Sequence, residues 1–301
     1  MIGSAAVGSV LAGVGVALLV AGAQPVDRTA LCATADKTPL EHVRAVAAAG
    51  DAGREQLRAL AGGTTPADII CGVAGLAALR DARLPPLLIA ALKNPALRDD
   101  AYRLARWAAF AAGGPDPALA AAYAPVVDVL ADAALWTAVG DDAIRLLGEI
   151  DRPAARDRLA AELDKPQRDT TLDAVIHALA RQGEARPRAR VVALGRDAVA
   201  SRSGNLTYEQ ASRIGAVSLY LLALGPDSRA EGVEFLRQMA PDVRADTAAW
   251  AVQTWCERAV RRPADRAAAE QMHATLAAEF DGMGIRWRDL TRGTFACGAT
   301  P

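Results

Sequence analysis

Adjacent carboxylates occur twice in this sequence, as Asp99-Asp100 and Asp141-Asp142, and such pairs can act together as a general acid and base. Two neighbouring carboxyl groups can share one proton, so that one donates while the other accepts. Each pair stands at a predicted helix start, however, where aspartate caps free backbone N–H groups and meets the positive end of the helix dipole. We therefore interpret both pairs as capping residues and predict no catalytic residue among them.

The three histidines, His42, His177 and His273, fall in separate segments, which disfavours a shared metal site. His177 lies beside apolar residues that recur from Leu172 to Leu179 with the i, i+3, i+4, i+7 spacing of a buried helix face. We expect it on a solvated polar edge, as a surface residue. No nucleophile, phosphate-loop or dinucleotide-binding motif occurs, so we predict no catalytic, cofactor-binding or metal-binding residue.

The four cysteines, Cys32, Cys71, Cys256 and Cys297, include no pair with the C-x-x-C spacing of zinc or redox sites. An even number of cysteines in an exported chain favours disulfides, and three pairings are open. We favour Cys32–Cys71 and Cys256–Cys297, because each bond joins one chain end to a helix about 40 residues away. Four buried free thiols are the alternative.

Arginines are concentrated between positions 181 and 202, where only Glu184 and Asp197 oppose them. This stretch is predicted to form the end of one helix, a turn and the next helix, so several guanidinium groups should share one edge. Arginine forks bind phosphate and carboxylate groups, which favours an anionic partner; a solvated basic edge is the alternative interpretation. The predicted partner-binding residues are Arg181, Arg186, Arg188, Arg190, Arg196 and Arg202.

The composition predicts an all-α fold. Alanine makes up about a quarter of the chain and aromatic residues only 4%, so residues that favour helices far outnumber those that favour strands. The 34 basic and 35 acidic residues give a formal net charge of -1, which provides no general attraction to nucleic acid.

The first 25 residues carry no charged side chain, and their apolar run ends in the A-x-A pattern Ala21-Gly22-Ala23. A secretory signal peptide cut after Ala23 ends in this way. About 20 apolar residues can also span a bilayer if they are not removed. Residues 1–23 are therefore predicted to be a signal peptide or a membrane anchor. The protein is expected in the periplasm or secreted, or else anchored in the cytoplasmic membrane and facing outward.

Three stretches share one pattern: "LAALRDARLPPLL" from Leu76, "LGEIDRPAARDRL" from Leu147 and "LARQGEARPRARV" from Leu179. In each, an apolar helix end passes through a short polar turn into a proline-led helix. Leu76 and Leu88 reappear 71 residues later as Leu147 and Leu159, and Leu147 reappears 32 residues later as Leu179. These intervals indicate a repeating unit of about 32–35 residues.

This pattern resembles the short bacterial HEAT-like repeats, most clearly over residues 76–200. The resemblance implies an α-solenoid: stacked antiparallel helix pairs with a concave surface that holds another macromolecule. A single helix pair cannot bury its apolar face, so neighbouring pairs must stack. We predict an extended arm over 24–37, the repeat domain over 38–285 and a disulfide-pinned tail over 286–301.

The expected function is that of a non-catalytic, exported binding or scaffolding module of the bacterial envelope. Its partner would be an unidentified protein or an anionic envelope component, with no nucleic acid, and with membrane contact only through residues 1–23 if these are retained. One alternative is an enzyme or enzyme accessory subunit, because some HEAT-like proteins are lyases that attach bilin chromophores to partner proteins. The other alternative is a single-pass, membrane-anchored assembly factor.

Overall fold

The computed structural model describes residues 50–113, 116–165, 169–261 and 266–282, together with Thr29, Cys32 and Val46. The described residues form helices and connecting turns and contain no strand, which confirms the predicted all-α class. The predicted signal peptide or anchor and the predicted tail lie outside the described residues. Of the predicted extended arm, Thr29 and Cys32 are described, and both are helical.

From Gly50 onward, the described residues contain fifteen α-helices and one 3₁₀ helix, Pro95–Asp100, joined by turns. The α-helices are α1 (Gly50–Ala61), α2 (Pro66–Ala78), α3 (Leu84–Lys93), α4 (Ala101–Ala112), α5 (Pro117–Ala122), α6 (Val126–Val129), α7 (Ala133–Val139), α8 (Asp141–Glu149), α9 (Pro153–Glu162), α10 (Asp169–Gln182), α11 (Arg188–Ala200), α12 (Tyr208–Leu224), α13 (Pro226–Arg237), α14 (Pro241–Arg261) and α15 (Arg266–Gly282).

Local sequence sets several helix ends. The Thr65 hydroxyl accepts from the Asp68 N–H at the start of α2. Thr207 and Gln210 form a reciprocal capping box at the start of α12, with bonds of 3.2 and 3.0 Å. Gly183, directly after α10, has a φ of 59°, a left-handed conformation that glycine adopts without a steric penalty.

One row of helices runs through the molecule, each contacting the next: α2, α4, α8, α10, α12 and α14. Contacts across the row join residues about one repeat apart. Thr171 donates to Asp141 at 3.0 Å, 30 positions away, and Trp255 Nε1 donates to the Leu222 carbonyl at 2.8 Å, 33 positions away. The start of α10 thus meets the start of α8, and Arg181 near the end of α10 contacts Glu149 at the end of α8, so these two helices run in the same direction.

The remaining helices flank this row: α1 packs on α2, α3 on α2 and α4, α9 on α8 and α10, and both α11 and α13 on α12. Between α4 and α8 the chain forms three short helices, α5 to α7, of which α5 and α7 are capped by Asp116 and Asp132. The apolar faces form one continuous buried cluster, and the repeated residues Leu76, Leu147 and Leu179 are all fully buried in it.

The first helix pair is covalently tied to the amino-terminal segment. Cys32 and Cys71 form a disulfide, with a Cα–Cα distance of 5.3 Å, as predicted. Cys256 is also disulfide-bonded, while Cys297, its predicted partner, lies outside the described residues.

Within the described ranges no single helix is both long enough and apolar enough to cross a membrane. One bent pair of segments, Ala118–Val129 and Ala133–Val139, meets both criteria when taken together, with an angle of 118° between them.

Candidate functional site

The turn between α10 and α11 positions the central residues of the predicted basic edge. Glu184 follows the left-handed Gly183 and is 7% exposed. Its carboxylate accepts from the Arg186 backbone N–H and from Arg186 Nε and Nη2, all at 2.9 Å, and Arg156 Nε lies 3.5 Å away. Bonding to Arg186 lowers the pKa of Glu184 and outweighs the opposing effect of burial. This turn is therefore held rigidly by a charged carboxylate.

The same turn is also fixed from α12. The Tyr220 hydroxyl is buried and donates to the Glu184 backbone carbonyl at 2.7 Å. Burial, with a smaller effect from the nearby Glu184 carboxylate, raises the pKa of Tyr220 well above its ordinary value. The phenol consequently stays protonated and serves as a permanent hydrogen-bond donor.

The fold separates the six predicted arginines into groups. Arg186 and Arg190 face α9, where they pair with Asp157 at 2.8 Å and Asp164 at 3.7 Å. The guanidinium groups of the other four arginines have different partners. Arg188 and Arg196 share Glu231 of α13 at 2.5 and 3.1 Å, Arg181 pairs with Glu149 of α8, and Arg202 Nε donates to the Gly204 carbonyl at 2.5 Å.

These pairs change the electrostatics expected from the sequence. The stretch 181–202 contains only two acids, but packing adds carboxylates from α8, α9 and α13. The arginines are thus largely neutralised in pairs, which leaves a mixed polar surface where the sequence predicts a strongly basic edge. The Arg186 and Arg190 side chains are 61% and 50% exposed, and Arg196 on the α13 side is 72% exposed.

A cleft of about 360 Å³ lies between α9 and α11, and Arg186 and Arg190 stand on its rim. Its apolar lining comes from Ala160, Ala161, Leu163 and Pro187, and Asp164 completes the lining. We call this the α9–α11 cleft. The cleft is shallow and open to solvent, and its exposed arginines beside apolar side chains suit an anionic group that carries an aliphatic portion.

His177 is exposed on α10, as the sequence predicts. The protein atoms around the ring desolvate it and lower its pKa; Asp173 opposes this effect, while Arg181 and Arg145 reinforce it. Asp173, one helical turn before His177, is by contrast buried and accepts from Arg213 Nε at 2.5 Å. That ion pair joins α10 to α12, so Asp173 has a packing partner that the local sequence does not reveal.

The two aspartate pairs lie at helix starts, but the predicted capping bonds do not form at Asp100 or at the start of α8. Asp141 instead accepts from Thr171 of α10. Burial raises the pKa of Asp142, with Arg145 and Arg106 acting in the opposite direction. The first pair, Asp99-Asp100, lies on the 3₁₀ helix, where Asp100 accepts from Arg103 at 3.2 Å.

The sequence patterns described above do not predict a buried ionic cluster that surrounds Asp81. Asp81 is 3% exposed and accepts from Arg54 at 3.0 Å, from Arg58 at 2.7 Å and from the Arg83 backbone N–H at 2.9 Å. Burial raises the pKa of Asp81, but these bonds outweigh it and leave the pKa below its ordinary value.

The signal that would have found this cluster is a shared four-residue turn. Arg80-Asp81-Ala82-Arg83 and Gly183-Glu184-Ala185-Arg186 occupy equivalent places after α2 and α10. Both begin with a residue of positive φ, and in both the acid accepts the backbone N–H two positions later.

Comparison of the chain with protein-family models, characterised proteins and solved structures finds no match.

Proposed function

We propose that this chain is a non-catalytic, HEAT-like repeat protein that binds a partner protein in the bacterial envelope. The continuous row from α2 to α14 supports the solenoid part of the proposal, because hydrogen bonds across it join residues 30 to 40 positions apart. This interval is close to the repeat of about 32–35 residues in the sequence. Neighbour-on-neighbour stacking of this kind is how repeat proteins build an extended binding surface.

Location outside the cytoplasm is part of the proposal. The Cys32–Cys71 disulfide and the disulfide-bonded Cys256 are compatible with an oxidising compartment, where such bonds persist. The apolar segment 1–23 would provide export, either as a cleaved signal or as a retained anchor. The mass of the mature protein distinguishes these two forms.

The α9–α11 cleft is the observation that carries the binding role. Its arginines are anchored differently: Arg186 is held by Glu184 and Asp157, while Arg190 meets Asp164 only at 3.7 Å. An incoming carboxylate can therefore bind Arg190 without breaking a short ion pair, while its aliphatic portion covers Ala160 and Leu163. An acidic side chain of a partner protein has this combination of groups.

Affinity capture from an envelope fraction tests this function with two variants of the full chain. The variant Arg190→Glu reverses the charge at the cleft and leaves the Glu184–Arg186 bonds that hold the turn in place. The matched control is Arg237→Glu, a similarly exposed arginine of α13 that lies outside the lining of the cleft and is paired with Glu234. We expect wild type and control to retain the same partner and Arg190→Glu to lose it. Equal recovery by all three proteins would remove the cleft as the binding surface.

A further inference from the structure

Trp250 of α14 differs from the other tryptophans that the structure describes. It is 60% exposed, and within the described part of the chain no ring or cation contacts its indole. Trp107 is buried and lies edge-on to Phe110, with 6.0 Å between the ring centroids. Trp136 and Trp255 each have an arginine guanidinium over the ring, at 4.3 and 4.7 Å from its centroid. Trp250 therefore offers an aromatic face that the fold leaves uncovered.

The contact at Trp136 shows what this chain places over such a face. Arg158 of α9 stacks on the Trp136 ring, and its Nε donates to Glu162, four residues further along α9, at 2.9 Å. One guanidinium thus joins an aromatic ring to a carboxylate. The planar, delocalised guanidinium is suited to this arrangement, because it can stack with its face and donate with its edge.

At Trp250 two of these three groups are present. Asp246 lies four residues earlier on α14, so the two side chains are neighbours on the helix surface, with about 5–6 Å between their Cβ atoms. Asp246 is exposed and has no hydrogen-bond or ion-pair partner among the described residues. The arginine is the group that is missing, since Arg244 of the same helix donates to the carbonyls of Met239 and Arg237.

The face of α14 that carries these residues is open to a partner. Val243, Asp246 and Trp250 follow the i, i+3, i+7 spacing of one helix face, and all three are exposed. Trp255 lies on the side toward α12, where its Nε1 donates to the Leu222 carbonyl. Val243 is 41% exposed and adds apolar surface to the stripe. A side chain from another protein can therefore reach Asp246 and Trp250 without breaking an ion pair.

We propose that Asp246 and Trp250 form a binding site for an arginine side chain of a partner protein. The guanidinium stacks on the Trp250 indole and donates to the Asp246 carboxylate, as Arg158 does between Trp136 and Glu162. Arginine fits this site better than lysine, because the lysine ammonium has no planar face to stack. The site prefers the charge opposite to that expected at the α9–α11 cleft and does not depend on the cleft.

A fluorescently labelled, blocked peptide with one arginine between glycines and alanines is the probe, titrated into the full chain and followed by anisotropy. Trp250→Ala should weaken binding at least about threefold, as expected for loss of a partly exposed cation–π contact. Asp246→Asn should weaken it about two- to fivefold, the range of an exposed ion pair. Trp250→Phe, which keeps a ring, should retain an intermediate affinity. In the wild-type protein, NMR should show the Trp250 indole N–H signal shift as the peptide binds.

Matched controls separate this site from other aromatic and acidic surfaces. Tyr102→Ala removes an exposed aromatic ring of α4, and Asp197→Asn neutralises an exposed carboxylate of α11. Both should bind the peptide as wild type does, and so should Arg190→Glu, which keeps this result independent of the α9–α11 cleft. A peptide with citrulline, which has the shape of arginine but no charge, should not bind.

Three outcomes would overturn the proposal. The first is equal affinity of wild type and Trp250→Ala for the arginine peptide. The second is equal affinity of wild type for the arginine and citrulline peptides. The third is a Trp250 indole N–H signal that does not shift at the highest soluble concentration of the arginine peptide.

Discussion

Asp81 and Glu184 show how one buried carboxylate can hold a turn between two helices. Each accepts a backbone N–H two residues ahead and the side chain of at least one arginine. Charged hydrogen bonds to a backbone donor and a guanidinium together compensate the desolvation of the carboxylate. The lowered pKa of each acid is the expected consequence, because the surroundings favour the ionised form.

The variant Asp81→Asn tests the importance of this charge. It removes the anion and leaves Arg54 and Arg58, which are only 33% and 18% exposed, without their shared partner. We expect the free energy of unfolding to fall by about 2–3 kcal/mol in urea titrations. Asp51→Asn, at a fully exposed carboxylate that approaches Arg54 only at 3.9 Å, is the control and should change little.

The pH dependence of the same variant gives an independent check. Because the pKa of Asp81 is lower in the folded than in the unfolded protein, its contribution is complete above the ordinary aspartate pKa and disappears as the pH falls through the folded value. The difference between wild type and Asp81→Asn should therefore shrink in acid. A difference that stays constant down to the folded-state pKa would show that the charge of Asp81 is not what stabilises the turn.

Helix ends are the elements that the sequence predicts best, because one local residue decides their geometry. Thr65 and Thr207 are residue types that favour helix starts and cap their helices, and Gly183 ends α10. Predictions fail where the partner comes from another helix. Asp141 was expected to cap α8 and instead binds Thr171.

Close helix contact depends on glycine in the first helix pair. A Cβ atom at Gly72 of α2 would lie 2.6 Å from the Leu57 carbonyl oxygen of α1, and rigid backbone surrounds it. A Cβ atom at Gly215 of α12 would come closest to the flexible end of Met239, at 3.2 Å, and would make an ordinary contact with Thr247 Oγ1 at 3.7 Å. Glycine is thus required for packing at the first position and not at the second.

The variants Gly72→Ala and Gly215→Ala together test whether glycine is required for helix packing at position 72 and not at position 215. Gly72→Ala should lower the free energy of unfolding by about 1–3 kcal/mol, because α1 and α2 must separate. Gly215→Ala should change it by no more than about 1 kcal/mol, with the gain in helix propensity compensating the displacement of Met239. Chemical denaturation measures both. Equal losses would indicate that helix separation is not the cause.

At the scale of the whole molecule, the burial of regularly spaced apolar residues was predictable and the charge distribution was not. Leu147 and Leu179, whose spacing is visible in the chain, are both fully buried. The predicted basic edge is divided because Arg188 and Arg196 meet Glu231, 43 and 35 positions away. Local charge counting cannot anticipate a partner that packing supplies from the next helix pair.

A row of helices in which each contacts mainly its neighbours should lose structure locally when one end is released. The Cys32–Cys71 bond closes a loop with a sequence separation of 39, for which the chain-entropy model gives about 4 kcal/mol. The variant Cys32→Ser breaks it while leaving the buried Cys71 in place. We expect faster amide hydrogen exchange in α1 and α2 and unchanged exchange in α10 and α12.

Cys256→Ser is the matched control for this experiment, since it releases the disulfide at the opposite end of the row. Hydrogen exchange should then accelerate in α14 while α1 and α2 keep their protection. The two variants together distinguish a repeat array from a single cooperative unit, because only the array confines each effect to its own end. If either variant raised exchange equally from α1 to α14, stability would be shared across the whole row, and the solenoid proposal would lose its energetic basis.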